Sequence, residues 1–246
     1  MARQFAGILT SAVMGAALVG GPAVTAQADE LELSASTALT TDYVFRGISQ
    51  TGNNPAVQGS IDASYGIFYA GMWGSSIDFA PVEIDYYAGI APEWMGISFD
   101  VGGLFYTYPG ADDPGGDFNY FEVKAAASYT FYDSFTLGVA NYYSPEFFGE
   151  SGDANALELA GEYTFDTIFN FFDPSISALV GWQWIDENDT FGTDDYTYWN
   201  VGLTLGFMDN FAADIRYYDT DLSSGECFGG DDLCDGRVVG TLSASF

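Results

Sequence analysis

The residues equipped for chemistry in this 246-residue chain are unevenly stocked: thirty-five Asp and Glu stand against five Lys and Arg, and there is no histidine. Histidine-dependent catalysis through a Ser or Asp is excluded on that count. Lysine is an alternative base, but Lys124 stands alone, without an SxxK spacing. Carboxylate pairs of the kind a glycosidase uses occur in "VEIDYY" and "DENDTFGTDD". Among thirty-five acids such pairs arise by chance, so they assign no reaction, and the expectation is a protein that is not an enzyme.

The same acids set the expectations for metals and partners. "DENDTFGTDD" and "GGDDLCDG" are rich in oxygen ligands but match no closed calcium motif, so neither a metal site nor a cofactor is expected. Two readings stay open for these loops: solvated turns, or loose divalent binding shared with lipopolysaccharide phosphates. Nucleic acid is excluded as a partner, since so few cations cannot release counterions from phosphates. Cys227 and Cys234 are the only cysteines. In an oxidising compartment they read as a disulfide closing a small loop; a metal pair is the weaker reading, because two thiols without histidine fall short of a usual zinc set.

That compartment follows from the start of the chain. Residues 1–28 carry Arg3, the apolar run "FAGILTSAVMGAALVGG" and the small-residue ending "AQA", the layout of a signal peptide cut after Ala28. The exported part, 29–246, keeps four basic residues: Arg46, Lys124, Arg216 and Arg237. It is 17% aromatic over the whole chain and only 16% charged, with no 18-residue apolar run after the leader. The membrane solution left to such a chain is a closed barrel of alternating strands.

The elements that would position the charges are strands of period 2. In "FEVKAAASYTF", Phe121, Val123, Ala125, Ala127, Tyr129 and Phe131 oppose Glu122, Lys124, Ser128 and Thr130. About twelve such segments are expected, near 30–47, 56–65, 67–78, 81–91, 96–107, 118–131, 134–144, 155–166, 174–186, 195–207, 210–221 and 236–246. Long connections such as "PGADDPGGD" alternate with tight ones such as "YDS" and "MDN". This rhythm predicts an all-β, transmembrane, antiparallel up-and-down barrel in the outer membrane, with short periplasmic turns and long outer loops. "DFAP" is short for an outer loop and "TFDTIFNFFDPS" long for a turn. The alternating last segment "RVVGTLSASF" ends on Phe246 and resembles the insertion signal read by the barrel assembly machinery. A soluble β-sandwich competes less well, since the apolar face continues from strand to strand.

With the apolar parity toward lipid, the polar parity lines the lumen. The pore-lining candidates are then Asp42, Arg46, Asp62, Glu83, Asp85, Asp100, Glu122, Lys124, Glu158, Glu162, Asp214, Arg216 and Arg237, with Gln58 beside them. Tyr43 and Phe45 would face lipid, where aromatic girdles sit. Closing the barrel makes the first and last two strands neighbours, which would gather Arg46, Arg216 and Arg237 on one wall opposite the acids. Two readings follow: a narrow channel for small ions or solutes, preferring cations because carboxylates raise local cation concentration, or a lumen filled by ion pairs such as Asp42 with Arg46 and Asp214 with Arg216. The second would make the chain a structural or surface-interaction barrel. Either meets outer-membrane lipid and lipopolysaccharide.

Residues 39–79 contain "DYVFRGISQT", "PAVQGSID" and "GIFYAGMWGSSIDF". This stretch resembles the TorF-type porin family of proteobacteria. The resemblance implies an outer-membrane barrel and, by the family's name, a pore; it carries no substrate and no functional residues.

Overall fold

A computed structural model describes residues 30–112, 117–228 and 230–246. The expected signal peptide lies outside the described residues. Twelve long strands build the body: β1 (Glu32–Thr40), β2 (Ala56–Tyr65), β3 (Phe68–Ser75), β4 (Glu83–Ile90), β5 (Ile97–Thr107), β6 (Tyr120–Phe131), β7 (Phe135–Ser144), β8 (Ala154–Thr164), β9 (Phe172–Ile185), β10 (Tyr196–Phe207), β11 (Phe211–Thr220) and β12 (Arg237–Ser245). Each pairs antiparallel with the next, and β12 returns to β1 with Ser36 opposite Ser245 and Thr40 opposite Thr241. The ring closes down to its last residue, where Ala35 and Phe246 exchange backbone hydrogen bonds of 3.0 and 2.9 Å. Closure leaves no unpaired edge, which is the condition for placing strands in hydrocarbon.

Period-2 patterning decides the two faces. Leu39, Val57, Ile61, Val101, Phe121, Val123, Leu137, Leu203, Ile215 and Leu242 all point outward and are exposed. Their alternate neighbours point inward, as Gln58, Asp85, Glu122, Glu158 and Arg216 do, and are buried. A band of apolar side chains around a closed barrel is the surface a bilayer accepts. Accordingly, Ile215→Arg, in the middle of β11, should destabilise the folded barrel by about 2–4 kcal/mol, measured by urea unfolding in lipid vesicles.

One end is made of tight turns. Tyr132-Asp133 and Met208-Asp209 each place two successive residues at positive φ (52° and 59°, 54° and 61°), the twist that matches two-residue hairpins. Segment 165–171, though long, is a turn as well, held by a bridge between Ile168 and Phe172, and β9 runs on through Pro174. Aromatics ring this end: Phe131 and Phe135, Phe207 and Phe211, Tyr163 and Phe165 pair with ring centroids 6.2, 5.8 and 4.9 Å apart. Such a girdle suits the membrane interface.

The opposite end carries the long loops, and there the first strand departs from expectation. It stops at Thr40 rather than running to 47. Residues 44–49 form a small hairpin, with Val44 opposite Ser49 and Phe45 opposite Ile48. Its turn is Arg46-Gly47, with φ of 47° and 83°. Tyr43 therefore does not face lipid; it is buried, and the half-buried Phe45 packs among interior side chains. The alternation in "DYVFRGIS" continues through the break, so period alone gave no sign of it; the Arg-Gly turn is what ends the strand.

Candidate functional site

The hairpin folds into the barrel and delivers Arg46 to its interior. Arg46 is 5% exposed, and its two terminal nitrogens donate to both oxygens of Glu122 on β6, at 2.7 and 2.8 Å. One of them also donates to Gln183 Oε1 on β9 at 3.1 Å. The guanidinium lies between the rings of Phe45 and Tyr142, 4.8 and 4.9 Å from their centroids. Tyr106 donates to Glu122 at 3.0 Å, so the carboxylate is held from two sides. A fork-shaped bridge of this kind is directional as well as strong, and it ties the loop to the barrel wall.

The root of the hairpin is held separately. Asp42 Oδ1 accepts hydrogen bonds from the hydroxyls of Ser49 and Thr51 at 2.7 and 2.6 Å, while Oδ2 accepts from Arg237 at 3.0 Å. Ser49 N donates to Leu233 O at 2.9 Å, joining the hairpin to the loop between β11 and β12. That loop is closed by the Cys227–Cys234 disulfide, both cysteines being fully buried. Within it, the Ser223 hydroxyl and N–H donate to Glu226 and hold its carboxyl below the ordinary range.

Above the hairpin the long loops meet in aromatic contacts. Phe118 and Phe148 stack at 4.6 Å, Phe79 meets Phe148 edgewise and Tyr108 at a tilt, and Phe191 joins Phe148 to Phe228. Tyr120 continues the contact downward, against Phe147 at 4.8 Å and stacked on Tyr106 at 4.3 Å. In a water-wide pore the wall residues would be wet. Here Tyr106, Tyr120, Tyr142, Tyr198, Glu122, Glu158 and Gln183 are all buried, so the loop half of the lumen is packed shut.

The turn half differs. Ser36, Asp62, Asp100, Lys124, Glu162 and Asp214 are half-buried, the exposure expected beside a water-filled vestibule. Lys124 pairs with Asp100 at 2.7 Å, and Tyr87 donates to Asp62. Arg216 pairs with Asp214 at 3.1 Å and donates to Asn200 and Ser177 at 2.8 and 2.9 Å.

All thirteen pore-lining candidates thus lie on the barrel's interior or its loop-end lip, but in a different arrangement from the one expected. The three arginines do not share a wall: Arg46 reaches Glu122, Arg216 stays within the turn half, and Arg237 braces the hairpin root. Asp42 pairs with Arg237, not with Arg46, whereas the Asp214 and Arg216 pair forms as expected. Glu83 and Asp85 on β4 and Glu158 on β8 are deeply buried, with Tyr198 donating to Glu158 at 2.7 Å. The sequence reading passed over the inward aromatics and Gln183. Extending the inward parity of Glu122 to Tyr120, or of Glu158 to Ala156 and Ala154, would have found Tyr120 and the small residues that make room for rings. No group of three or more Cys, Asp or Glu side chains converges as a metal cage among the described residues.

Solved structures share this architecture. A NanC porin is 12% identical with a TM-score of 0.52, covering 87% of this chain and 99% of its own. A KdgM porin gives 10% and 0.57 over 87% and 99%, and a KdgM porin in complex with disordered oligogalacturonate gives 9% and 0.55 over 87% and 98%. At such identities the likeness is one of fold: a closed antiparallel barrel of porin type. No curated protein sequence matches the chain. The model of the Gcw_chp family, described as a bacterial protein of unknown function, matches residues 25–246, and the chain belongs to that family.

Proposed function

We propose that this barrel is an outer-membrane channel for small hydrophilic solutes, held closed by the hairpin 44–49 and opening when that hairpin leaves the lumen. The observation that carries the reading is the contrast between the halves: a half-buried, polar vestibule at the turn end leads to a plug tethered by one guanidinium and one carboxylate. The bridge from Arg46 to Glu122 is the ionic tie between the hairpin tip and the far wall, while the root is held apart from it by Asp42 and Arg237. The porin fold and the TorF-type resemblance of residues 39–79 support the same reading. No reaction is assigned to the chain.

The selectivity follows from charge. Asp62, Asp100, Glu162 and Asp214 face the vestibule with Lys124 and Arg216 as the cations beside them, so the field there favours cations over anions. Reconstituted in planar bilayers, the chain should give small, intermittent openings whose reversal potential under a salt gradient has the cation sign. A clear anion sign would overturn the selectivity. The second reading, a non-conducting barrel, draws on the dry packing around Tyr106, Tyr120 and Tyr198. It wins if the bilayer stays silent even after the Arg46 bridge is removed.

The leader is cut after Ala28, the terminal Phe246 is the residue read by the barrel assembly machinery, and the acidic outer loops meet lipopolysaccharide through shared cations.

A further inference from the structure

Two carboxylates inside the barrel have no cation. Glu83 and Asp85 alternate inward on β4 and are 2% and 0% exposed. The Tyr43 hydroxyl donates to Glu83 Oε1 at 3.4 Å, but Glu83 Oε2 and both oxygens of Asp85 have no partner. The four described basic side chains are committed elsewhere, to Glu122, Asp100, Asp214 and Asp42.

A second observation comes from β2. Gln58 is 3% exposed, and neither atom of its amide has a partner. The register sets Gln58 opposite Ser75 and Ser75 opposite Glu83, so the three form one row on the lumen face with the smallest in the middle. The next row sets Trp73 opposite Asp85, and Trp73 packs edgewise on Tyr43 at 5.2 Å. Gln58 and Glu83 thus flank a serine on the lumen face, with Asp85 one row further along β4.

Bare buried carboxylates are costly, and two on one strand also repel. The unpartnered atoms available to a ligand are oxygens: Glu83 Oε2, Asp85 Oδ1 and Oδ2, and Gln58 Oε1. Hard oxygen donors with a summed charge of two suit a divalent ion that tolerates irregular geometry, which is the behaviour of calcium rather than magnesium. We propose that Glu83, Asp85 and Gln58 form a calcium-class cation site in the barrel interior, beneath the loop that carries Tyr43. This does not depend on conduction. Toward the turn end the polar row continues on β2, where the Ser60 hydroxyl, next inward of Gln58, donates to the half-buried Asp62 at 2.8 Å. Through Tyr43, an ion there also stiffens the root of the plug.

The test uses the full chain folded in detergent micelles and stripped with EDTA. Added calcium should raise the thermal midpoint, and terbium should give saturable, calcium-displaceable emission sensitised by Trp73. Asp85→Asn should weaken both responses at least tenfold, while Asp186→Asn with Glu187→Gln, on an outer loop, should change neither. Trp73→Phe should lower the emission and keep the calcium shift. If Asp85→Asn does not fold, Gln58→Leu removes a neutral ligand without stranding a charge and should weaken calcium by the same readouts. An unchanged calcium response in the folded variant would move the binding to the outer loops and overturn the site. No calcium response in the wild type would mean that the two carboxyls are neutralised by protons, and would overturn it equally.

Discussion

Arg46→Ala should convert brief openings into a sustained conductance and, at the same time, lower the stability of the folded chain. The two effects share one cause. Glu122, 1% exposed, would keep its carboxylate with only Tyr106 donating to it, and stranding one partner of a buried ion pair costs about 3–5 kcal/mol. The carboxylate is relieved either by taking up a proton or by water reaching it as the hairpin lifts, and only the second opens the lumen. Bilayer recordings give the first effect and thermal unfolding in micelles the second. The double variant Arg46→Met with Glu122→Leu separates them: replacing both members by apolar groups of similar bulk restores most of the stability. A plug held by packing alone would then stay shut in the double variant. A plug that needs the bridge would open in both.

Gly47→Ala should open the barrel by a different route, without touching a charge. Gly47 has φ of +83°, a conformation that costs an alanine about 1 kcal/mol or more. An added Cβ would also lie 2.5 Å from Thr220 Cγ2 and 2.9 Å from Tyr198 Cβ, so the hairpin tip could not remain seated against β10 and β11. Conductance should rise as with Arg46→Ala. The stability loss should be smaller, because Arg46 and Glu122 can still meet once the tip shifts. An alanine variant with unaltered conductance would show that the hairpin is not the closure.

How much of this was legible in the sequence depends on the range of each interaction. The twelve strands and their inner and outer faces follow from alternation within ten residues, as Phe121, Glu122, Val123 and Lys124 show, and the tight turns follow from the short gaps between alternating segments. The two cysteines needed only an oxidising compartment. The plug was not legible, because its decisive bonds span 76, 137 and 195 residues, from Arg46 to Glu122, Arg46 to Gln183 and Asp42 to Arg237. Nothing in "DYVFRGIS" states which carboxylate lies across the lumen. The same limit explains Glu83, Asp85 and Gln58: inward parity placed them inside, but only the strand register puts Gln58 and Glu83 either side of Ser75.

The hairpin root also carries a consequence for the order of assembly. Asp42 takes Arg237, and Ser49 N takes Leu233 O, so a segment just after β1 is fastened by residues around the start of β12. Those partners come into position only after β12 has paired with β1. Long loops must be closed before such contacts return any free energy, so docking of the hairpin belongs at the end of folding. A barrel still open at its seam would then present residues 41–51 to a protease, and resistance of that segment would date the moment the ring is complete.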